Sequence, residues 1–589
     1  MLGCEREKSN DHLSFIHISY IFQGAKLSLM QEVNMKTSRK KPLDYEWYLK
    51  EKRENWVLPL ILKDRARKLG NKPFLQYQLQ RPYSFKEVNT LANKIANGLI
   101  QLGIKKGDRV AVLLPNSADY ILIWFGILKA GGIMAPVNTA YKMDFLRYII
   151  DNSDSRILFA AEEYLERIAP IQGNIPQVEK IVVWNQNYKD VREARTMSKP
   201  LVSYKEFLDS STSEEPEVDT KFIDIARLMY TSGTTGRSKG VAKSHAADYY
   251  SARGYAEMLE LNNKDILFTC LPLFHSNAQV LCVYPALITG ARVAIYERFS
   301  GSQFWKWIRE SGATVFNSLG VMSYFLWGQP RVPEEKEHKV RLALISPAPH
   351  DMLEEFLKRF NIKILEGYGL TETGVVTYMP SDQPFRIGSC GKEAPGYEVK
   401  IADPETDEEL PRGRVGEIVV RPRIPNIMLY HYHKMPEKTV EDFRNFWFHT
   451  GDAGRMDKNG YVYFVDRVKD YIRRRGENIS SFEVERIVCQ HPGVAEAAAL
   501  GIRAGEGKFA EDEVMILVVK KSNYEDLRHE DIIQHCEERM PYFMVPRFIR
   551  FVSSFPKTPT ERVQKHILKE QGVTTDTWDR EKARYKIKR

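Results

Sequence analysis

The sequence predicts an α/β protein with a large N-terminal domain of helices layered on parallel and mixed sheets, a β-rich subdomain and a small C-terminal α+β domain joined by a hinge. Helical and strand patterns alternate early in the chain, as in sheets covered by helices. Glycine-rich turns separate short apolar segments across 386–421, which favours β structure. After Asp466 a charged stretch leads into a shorter series of helix and strand patterns, which indicates a separate domain.

The N-terminal alternation is clearest around residue 100. Apolar residues in Phe85–Leu102 recur at the spacing of one helix face, and Gly103 follows where a helix C-terminal glycine is expected. Arg109–Leu114 then predicts a buried strand and Asp119–Lys129 a helix. Two further helix–strand pairs are expected at 304–316 and 352–365.

The C-terminal elements follow the charged stretch 467–475, which we expect to be the hinge. The pattern predicts two helices, Ser481–Gln490 and His529–Arg539, and two strands, Ala495–Ile502 and Glu513–Val519, before a basic tail. The chain is therefore divided into an extension of residues 1–40, an N-terminal domain of residues 41–466 and a C-terminal domain of residues 467–589.

We expect the extension to be disordered or to come from an over-extended reading frame, because it has no regular apolar period. Met30 and Met35 are alternative starts. The apolar stretch Leu13–Leu29 is interrupted by polar residues and is not followed by a cleavage site, so neither a membrane span nor a signal peptide is expected.

Composition excludes several classes of protein. The 589 residues are 43% hydrophobic and 28% charged, as in an ordinary globular protein of two to four domains. The net charge of +9 is a mild bias without a basic stripe interleaved with aromatics, so no nucleic-acid partner is expected. The six cysteines contain no C-x-x-C pair, which argues against a zinc site and a disulfide framework and favours a cytoplasmic location.

The run Tyr230–Gly240 (YTSGTTGRSKG) carries the strongest chemical signal. Glycines let backbone N–H groups converge, and hydroxyls and a lysine add donors, which is typical of a polyphosphate-binding loop. It is not a Walker A loop, because Ser238 precedes Lys239 and Gly240 follows it. A flexible linker is the alternative, but the apolar stretch Ile225–Met229 before the loop and the lysine within it favour phosphate binding.

Three more motifs follow in order: Glu366–Thr373 (EGYGLTET), Trp447–Asp452 (WFHTGD) and Asp466–Asn478 (DRVKDYIRRRGEN). With the loop, they closely resemble the adenylate-forming acyl-CoA ligase superfamily, from about residue 44 to 569. Segments 482–485 and 559–565 look nearest to carnitine/crotonobetaine-CoA ligase-like proteins.

The resemblance implies an ATP-dependent acid–thiol ligase. Such an enzyme joins a carboxylic acid to AMP with loss of pyrophosphate, because a carboxylate is a poor acyl donor, and then transfers the acyl group to CoA. The implied partners are a small carboxylic acid, ATP, CoA and Mg²⁺. The implied phosphate-binding residues are Thr231, Ser232, Gly233, Thr234, Thr235, Gly236 and Lys239.

The resemblance also assigns the nucleotide site. Glu372 would bind Mg²⁺, a hard cation that suits carboxylate and phosphate oxygens. Thr371 would hydrogen-bond the α-phosphate, and Tyr368 with Gly369 would contact adenine in a pocket also lined by 346–349. The alternatives are a helix N-terminal carboxylate for Glu372 and core packing for Tyr368.

Asp452 and Arg467 would bind the ribose, although Asp452 could be only a turn residue. His275 would gate the acyl site, which 276–280 and 316–322 would line; a structural histidine is the alternative. Lys469 matches the hinge, and Gly476 would pass close to the pantetheine arm of CoA. Arg473, Arg474 and Arg475 either meet CoA phosphates or form a solvated charge run.

One position departs from the family pattern. The C-terminal motif usually ends Thr-Gly-Lys, and that lysine bridges the carboxylate and the α-phosphate. Here Arg562 stands in its place and Glu561 replaces the glycine. Either Arg562 serves, or Lys565 does, or adenylation is slow.

The acid itself is predicted to be short or polar, such as carnitine or crotonobetaine. Five polar residues in the expected acyl segments would suit an alkyl chain poorly, at about 0.8 kcal/mol per methylene left without apolar lining. They are Ser276, Asn277, Gln279, Asn317 and Ser318. Three alternatives stay open: a medium- or long-chain fatty acyl-CoA ligase, a protein that loads a carrier-protein thiol, and a nucleotide-binding regulator without chemistry.

Overall fold

The computed structural model describes residues 47–185, 197–231, 238–350, 352–380, 383–467, 472–474, 477–479, 481–503, 512–540, 542–557 and 563–587. The predicted extension 1–40, the loop residues 232–237, Lys469, Gly476 and Arg562 lie outside these ranges.

Two sheets with mainly parallel strands form the N-terminal domain. Sheet 1 has seven strands, parallel except the last, in the order Ile364–Leu365, Leu342–Ser346, Val315–Leu319, Ile266–Thr269, Arg292–Ile295, Pro73–Tyr77 and Tyr83–Ser84. Sheet 2 has eight strands, in the order Leu429–Tyr432, Lys239–Ser244, Ile225–Thr231, Ile133–Pro136, Arg109–Leu113, Ser155–Ala161, Lys180–Trp184 and Leu201–Ser203. The first strand of sheet 2 pairs antiparallel with the second, and the second pairs antiparallel with the third. The predicted phosphate loop joins this antiparallel pair of the third and second strands, Ile225–Thr231 and Lys239–Ser244.

Sheet 3 is the predicted β-rich subdomain, and its seven strands are antiparallel. Their order is Gly367–Leu370, Gly374–Tyr378, Gly391–Glu393, Tyr461–Arg467, Phe448–Met456, Val415–Pro422 and Tyr397–Ala402. The motifs that begin at Glu366 and Trp447 both lie on this sheet, so it carries much of the predicted nucleotide site.

The C-terminal domain has its own sheets and its own apolar core. A two-stranded sheet pairs Ile472–Arg474 with Glu477–Ile479, and a four-stranded sheet has the order Val494–Arg503, Asp512–Lys520, Phe548–Val552 and Trp578–Asp579. Buried apolar residues within 472–549 pack together separately from the main core within 47–463. The predicted basic tail contains helix Lys565–Gln571 and the edge strand Trp578–Asp579.

Helices cover the N-terminal sheets. The α-helices are Trp47–Lys50, Leu58–Leu69, Phe85–Gln101, Ala118–Lys129, Met143–Asn152, Leu165–Ile168, Tyr204–Asp209, His245–Met258, Ser276–Ala278, Tyr284–Thr289, Phe304–Ser311, Gly320–Trp327, Leu353–Phe360, Pro436–Asp442, Ser481–Cys489, His529–Glu537 and Lys565–Gln571. Short 3₁₀ helices are Arg53–Asn55, Glu162–Tyr164, Ala169–Asn174, Pro333–Lys336 and Arg444–Phe446, and a π-helical turn spans Gln279–Val283. In the described ranges, no helix is both long and apolar enough to cross a bilayer.

Helix Phe85–Gln101 shows how sequence sets these elements. The Ser84 hydroxyl accepts from the Glu87 backbone N–H while the Glu87 carboxylate accepts from the Ser84 N–H, a capping box that satisfies two donors at the helix start. One face carries buried Val88 and Ile95 into the core. The predicted end is confirmed, because Gly103 follows the helix with φ +89°, a value that favours glycine.

Candidate active site

The predicted site residues converge on one cleft. Strand ends from sheets 1, 2 and 3 and side chains of the C-terminal domain line it. Nine predicted site residues are among its lining: Thr231, Lys239, His275, Tyr368, Gly369, Thr371, Glu372, Asp452 and Lys565. The structure thus brings together residues that are far apart in sequence.

Lys239 and Glu372 lie on the same wall of the cleft, bridged by Tyr432. The Lys239 ammonium donates to the Tyr432 hydroxyl at 3.2 Å, and that hydroxyl donates to Glu372 Oε1 at 3.1 Å. The Lys239 ammonium also pairs with Asp442 at 3.2 Å. Burial and the Glu372 and Asp442 carboxylates raise the pKa of Tyr432, so its phenol stays a neutral donor to Glu372.

Glu372 lies in the turn of a β-hairpin. The turn joins strands Gly367–Leu370 and Gly374–Tyr378, so the alternative of a helix N-terminal carboxylate is wrong. The residue is 7% exposed, and its backbone carbonyl accepts from Lys243 Nζ at 3.2 Å and from the Leu429 N–H at 2.7 Å. These bonds fix the backbone that presents the carboxylate.

Tyr368 and Asp452 form a second polar wall on sheet 3. The Tyr368 hydroxyl donates to Asp452 Oδ2 at 2.8 Å. Burial and the Asp452 carboxylate raise the pKa of Tyr368. Asp452 is buried within strand Phe448–Met456, and so it is not merely the turn residue of the alternative interpretation. The backbone of Arg467 lies opposite Asp452 in the neighbouring strand.

A buried carboxylate supports the backbone beside Asp452. Glu417 accepts from the Gly451 N–H at 2.9 Å, and its other oxygen lies 2.9 Å from His449 Nδ1. Gly451 has φ +69°, which a glycine adopts without strain. Glu417 therefore helps to set the local bend that aims Asp452 into the cleft.

Three of the four residues in the segment 346–349, expected to line the adenine pocket, lie in the cleft wall near Glu366. Ser346, Pro347 and Ala348 are lining residues. The Ala348 N–H donates to Glu366 Oε1 at 3.2 Å, and His350 Nε2 lies 2.8 Å from Glu366 Oε2. Glu366, the first residue of the EGYGLTET motif, thus contacts both ends of the stretch 348–350 and holds this segment beside the motif.

The predicted acyl segments line the cleft only in part. His275 is half-buried there, with Ser276 and Asn277 beside it. The expectation for Gln279 is wrong, because it is fully buried, accepts from Arg227 and donates to the Leu273 carbonyl at 2.5 Å. Asn317 is 3% exposed and is not among the lining residues, and its amide donates to the side chain of Asn277, which is.

Lys565 takes part in a cluster where the C-terminal domain meets Asp466. Its ammonium pairs with Glu485 at 2.8 Å and contacts the Ser481 hydroxyl. Ser481 in turn donates to Asp466 Oδ2 at 2.7 Å. Burial raises the pKa of Glu485, whereas Lys565 opposes that change.

Arg474 fits neither of its two predicted roles. It is 4% exposed, pairs with Glu513 at 2.8 Å and donates to the Phe543 carbonyl at 2.7 Å. Such a buried and paired guanidinium belongs to the C-terminal core and is not a solvated or phosphate-binding group.

Sequence reasoning missed Tyr432, Glu417 and Lys243. Tyr432 and Lys239 are 193 residues apart, and only the pairing of strand Leu429–Tyr432 with Lys239–Ser244 brings them together. For Lys243 a signal existed: a second lysine within the short strand directly after the loop, at a position that proves buried.

Comparison with known families agrees with this geometry. The AMP-binding enzyme profile matches residues 62–430, and the profile of the AMP-binding enzyme C-terminal domain matches residues 483–562. A crotonobetaine/carnitine–CoA ligase of Salmonella paratyphi A is 31% identical over 523 residues, which is 86% of this chain and 97% of the relative. A ligase of the same name from Citrobacter koseri is 31% identical over 535 residues, with the same coverage.

Solved structures share the fold. ATP-bound MatB from Rhodopseudomonas palustris has a TM-score of 0.77 at 26% identity, covering 88% of this chain and 98% of that one. The anthranilate CoA ligase AuaEII in complex with anthranoyl-AMP has a TM-score of 0.76 at 26% identity, covering 87% and 97%. The predicted fold class and the predicted enzyme class, an AMP-forming acid–thiol ligase, are therefore confirmed at the level of the family. The chain belongs to the AMP-binding enzyme family.

Proposed function

We propose that the protein uses ATP to convert a short or polar carboxylic acid into an acyl-AMP, and then transfers the acyl group to CoA. The observation that carries this proposal is the cleft itself. One wall offers Lys239 and Glu372 joined through Tyr432, and another offers Tyr368 joined to Asp452. The Lys239 ammonium suits phosphate, and the Glu372 carboxylate suits a hard cation. The Tyr368 ring and the Asp452 carboxylate suit a nucleoside.

The phosphate end of the site would be built around Lys239 and Thr231. Both lie at the mouth of the predicted loop, where strand Ile225–Thr231 ends and strand Lys239–Ser244 begins. Lys239 would neutralise the β,γ-phosphates, and the loop residues between the two strands would add backbone donors. Thr371, next to Glu372, would hydrogen-bond the α-phosphate.

The donor set fits Mg²⁺. The protein would supply one carboxylate, that of Glu372, and the described residues contain no group of three or more His, Cys, Asp or Glu side chains that could hold a metal ion. Mg²⁺ often keeps waters and takes one or two carboxylates together with substrate phosphates. When bound, the ion would neutralise charge on the phosphates. Tyr432 would orient the Glu372 carboxylate by donating to Oε1.

Asp452 and Tyr368 would hold the nucleoside. A buried carboxylate can accept from both ribose hydroxyls, and Arg467 would assist from the strand opposite. The Tyr368 ring, with Gly369 beside it, would lie against adenine between sheet 3 and the segment 346–349.

The acid would lie on the side of His275, which would gate the site. Ser276, Asn277 and Ser318 keep the lining polar although Gln279 does not contribute. A polar acid is therefore favoured, with carnitine or crotonobetaine as examples suggested by the relatives' names. A medium- or long-chain acid and a carrier-protein thiol are the alternatives.

A panel of carboxylic acids tests the proposal. Each acid is incubated with the full-length protein, ATP, Mg²⁺ and CoA, and AMP, pyrophosphate and thioester mass are measured. We expect AMP and pyrophosphate in equal amounts with an acyl-CoA. ADP and phosphate would contradict the proposal, and an acyl-AMP that reacts with a carrier protein but not with CoA would support the carrier alternative.

Replacing Lys469 with alanine should harm the two half-reactions unequally, because a hinge residue affects the change of conformation between them. Thioester formation from supplied acyl-AMP should fall more than acyl-AMP formation, measured by ATP–pyrophosphate exchange. Lys458→Ala, at an exposed turn position, is the matched control. Equal losses in both half-reactions would count against the hinge assignment.

A further inference from the structure

Asn116 is a buried side chain of the cleft wall that makes three hydrogen bonds to main-chain groups. It is 5% exposed, lines the cleft and comes shortly after strand Arg109–Leu113 of sheet 2. Its amide nitrogen donates to the Leu271 carbonyl at 2.9 Å and to the Tyr296 carbonyl at 3.0 Å. Its amide oxygen accepts from the Leu273 N–H at 2.7 Å. Both N–H groups and the oxygen of this amide are therefore used to hold main chain.

These bonds join sheets 1 and 2 at the cleft. Asn116 follows a strand of sheet 2, whereas its carbonyl partners follow two neighbouring strands of sheet 1. Leu271 lies just after Ile266–Thr269, and Tyr296 lies just after Arg292–Ile295. A buried carbonyl or N–H without a partner is unfavourable, so loss of the Asn116 amide would release the main chain that it holds.

The main chain at Leu273 is held from both sides. Its N–H donates to Asn116, and its carbonyl accepts from Gln279 Nε2 at 2.5 Å. Gln279 is fixed in turn by the buried Arg227, which donates to its amide oxygen and belongs to strand Ile225–Thr231 of sheet 2. Two side-chain amides, each connected to sheet 2, therefore fix this point of the cleft wall.

The fixed point lies two residues before His275. The His275 N–H donates to the Pro272 carbonyl at 3.0 Å, which closes a turn around Leu273. Helix Ser276–Ala278 follows the histidine directly, and Gln279 comes next in the chain. The segment that carries His275 is therefore held before the histidine at Leu273 and after it at Gln279, and the place of the imidazole in the cleft depends on these bonds.

We propose that Asn116 is a positioning residue that fixes the segment carrying His275 and, through it, the placement of the acid. Its three partners, Leu271, Leu273 and Tyr296, are not among the predicted nucleotide-binding residues, so its loss should spare ATP binding. This inference rests on the proposed function, in which His275 gates the acyl site, and adds to it a residue from the chain that follows a strand of sheet 2.

Asn116→Ala tests this role in the full-length protein, with crotonobetaine and butyrate as the acids and ATP–pyrophosphate exchange as the measurement. We expect kcat/KM for the acid to fall about ten- to a hundredfold, because a shift of about 1 Å at a reacting group can cost a hundredfold. The KM for ATP should stay close to that of the wild type. An equal effect on the acid and on ATP would contradict the assignment.

Asn93→Ala is the matched control. Asn93 is 4% exposed, and its amide donates to the Ser213 carbonyl at 3.1 Å and to Glu215 at 3.2 Å, outside the cleft lining. We expect both asparagine variants to lower the melting temperature, but only Asn116→Ala to impair use of the acid. A similar loss of acid use in both would mean that general destabilisation is the cause.

A double-mutant cycle with His275→Ala tests the route of the effect. If Asn116 acts through His275, Asn116→Ala should cost much less in the His275→Ala background than in the wild type, because residues that act together are not additive. Additive losses would show that Asn116 acts on another part of the site and would overturn the inference.

Two further measurements apply if Asn116→Ala does not fold. Asn116→Asp keeps the shape and the acceptor for the Leu273 N–H but not the two donors, and it should show the same selective loss. Hydrogen–deuterium exchange of the wild type should be slow in peptides that contain Leu273. Rapid exchange there would overturn the inference even if neither variant folds. Absence of pyrophosphate exchange with every acid, together with slow exchange at Leu273, would instead reject the proposed function.

Discussion

Replacing Arg562 with alanine should slow acyl-AMP formation by about two to three orders of magnitude. We expect from the motif resemblance that Arg562 takes the place of the lysine that ends the family's C-terminal motif, and its guanidinium would then reach the carboxylate and the α-phosphate together. It stays charged at any working pH, so it would stabilise the pentacoordinate phosphate and not transfer a proton. Removal of such a contact costs about 3–4 kcal/mol in the transition state. ATP–pyrophosphate exchange measures the loss, and thioester formation from supplied acyl-AMP should be nearly spared.

Lys565 is the matched control for Arg562. Its ammonium pairs with Glu485 and contacts Ser481, so Lys565 links its own helix, Lys565–Gln571, to the helix Ser481–Cys489. We expect Lys565→Ala to affect adenylation less than Arg562→Ala. If Lys565→Ala alone abolishes adenylation while Arg562→Ala is mild, the role belongs to Lys565.

Replacing Asp452 with alanine should weaken ATP use about ten- to a hundredfold, since a charged hydrogen bond contributes roughly 1.5–3 kcal/mol. Asp452 is 3% exposed and already accepts from the Tyr368 hydroxyl at 2.8 Å. Its loss would leave that hydroxyl and the ribose hydroxyls without a charged acceptor. The kcat/KM for ATP, measured with saturating acid, reports the effect.

Tyr368→Phe separates the ribose role of Asp452 from its role in the protein. This variant removes the hydroxyl that bonds Asp452 but keeps the ring that would face adenine. We expect a much smaller change in the kcat/KM for ATP than for Asp452→Ala. An unchanged kcat/KM for ATP in Asp452→Ala would show that the Asp452 carboxylate does not bind the ribose and has only a structural role.

The regular elements were predictable where one physical signal dominates. The apolar period of Phe85–Gln101 coincides with a terminal glycine at residue 103, and the strand Arg109–Leu113 is apolar and buried from its second residue onward. The convergence of Lys239, Glu372 and Asp452 followed from motif resemblance, which summarises a known three-dimensional arrangement. The roles of these residues, the domain boundaries and the hinge stay predictions.

Contacts between distant segments were not predictable. Arg227 falls in a strand that looks simply apolar, yet it is fully buried because Asp248 accepts from it. Gln279 seemed suited to an acyl pocket because its type is polar, but side-chain direction depends on the π-helical turn in which it lies. Tyr432 contacts Glu372 only because its strand, Leu429–Tyr432, pairs antiparallel at the edge of sheet 2. Such pairings depend on tertiary packing and leave no local pattern.

The most direct test of the acyl-AMP route is the fate of carboxylate oxygen. An acid that is accepted in the panel is labelled with ¹⁸O in its carboxylate and converted with ATP and CoA, and the products are analysed by mass spectrometry. Attack of the carboxylate on the α-phosphorus, followed by attack of the CoA thiol on the carbonyl, leaves one labelled oxygen in AMP and none in pyrophosphate. Label in inorganic phosphate, with ADP as the nucleotide product, would contradict the account.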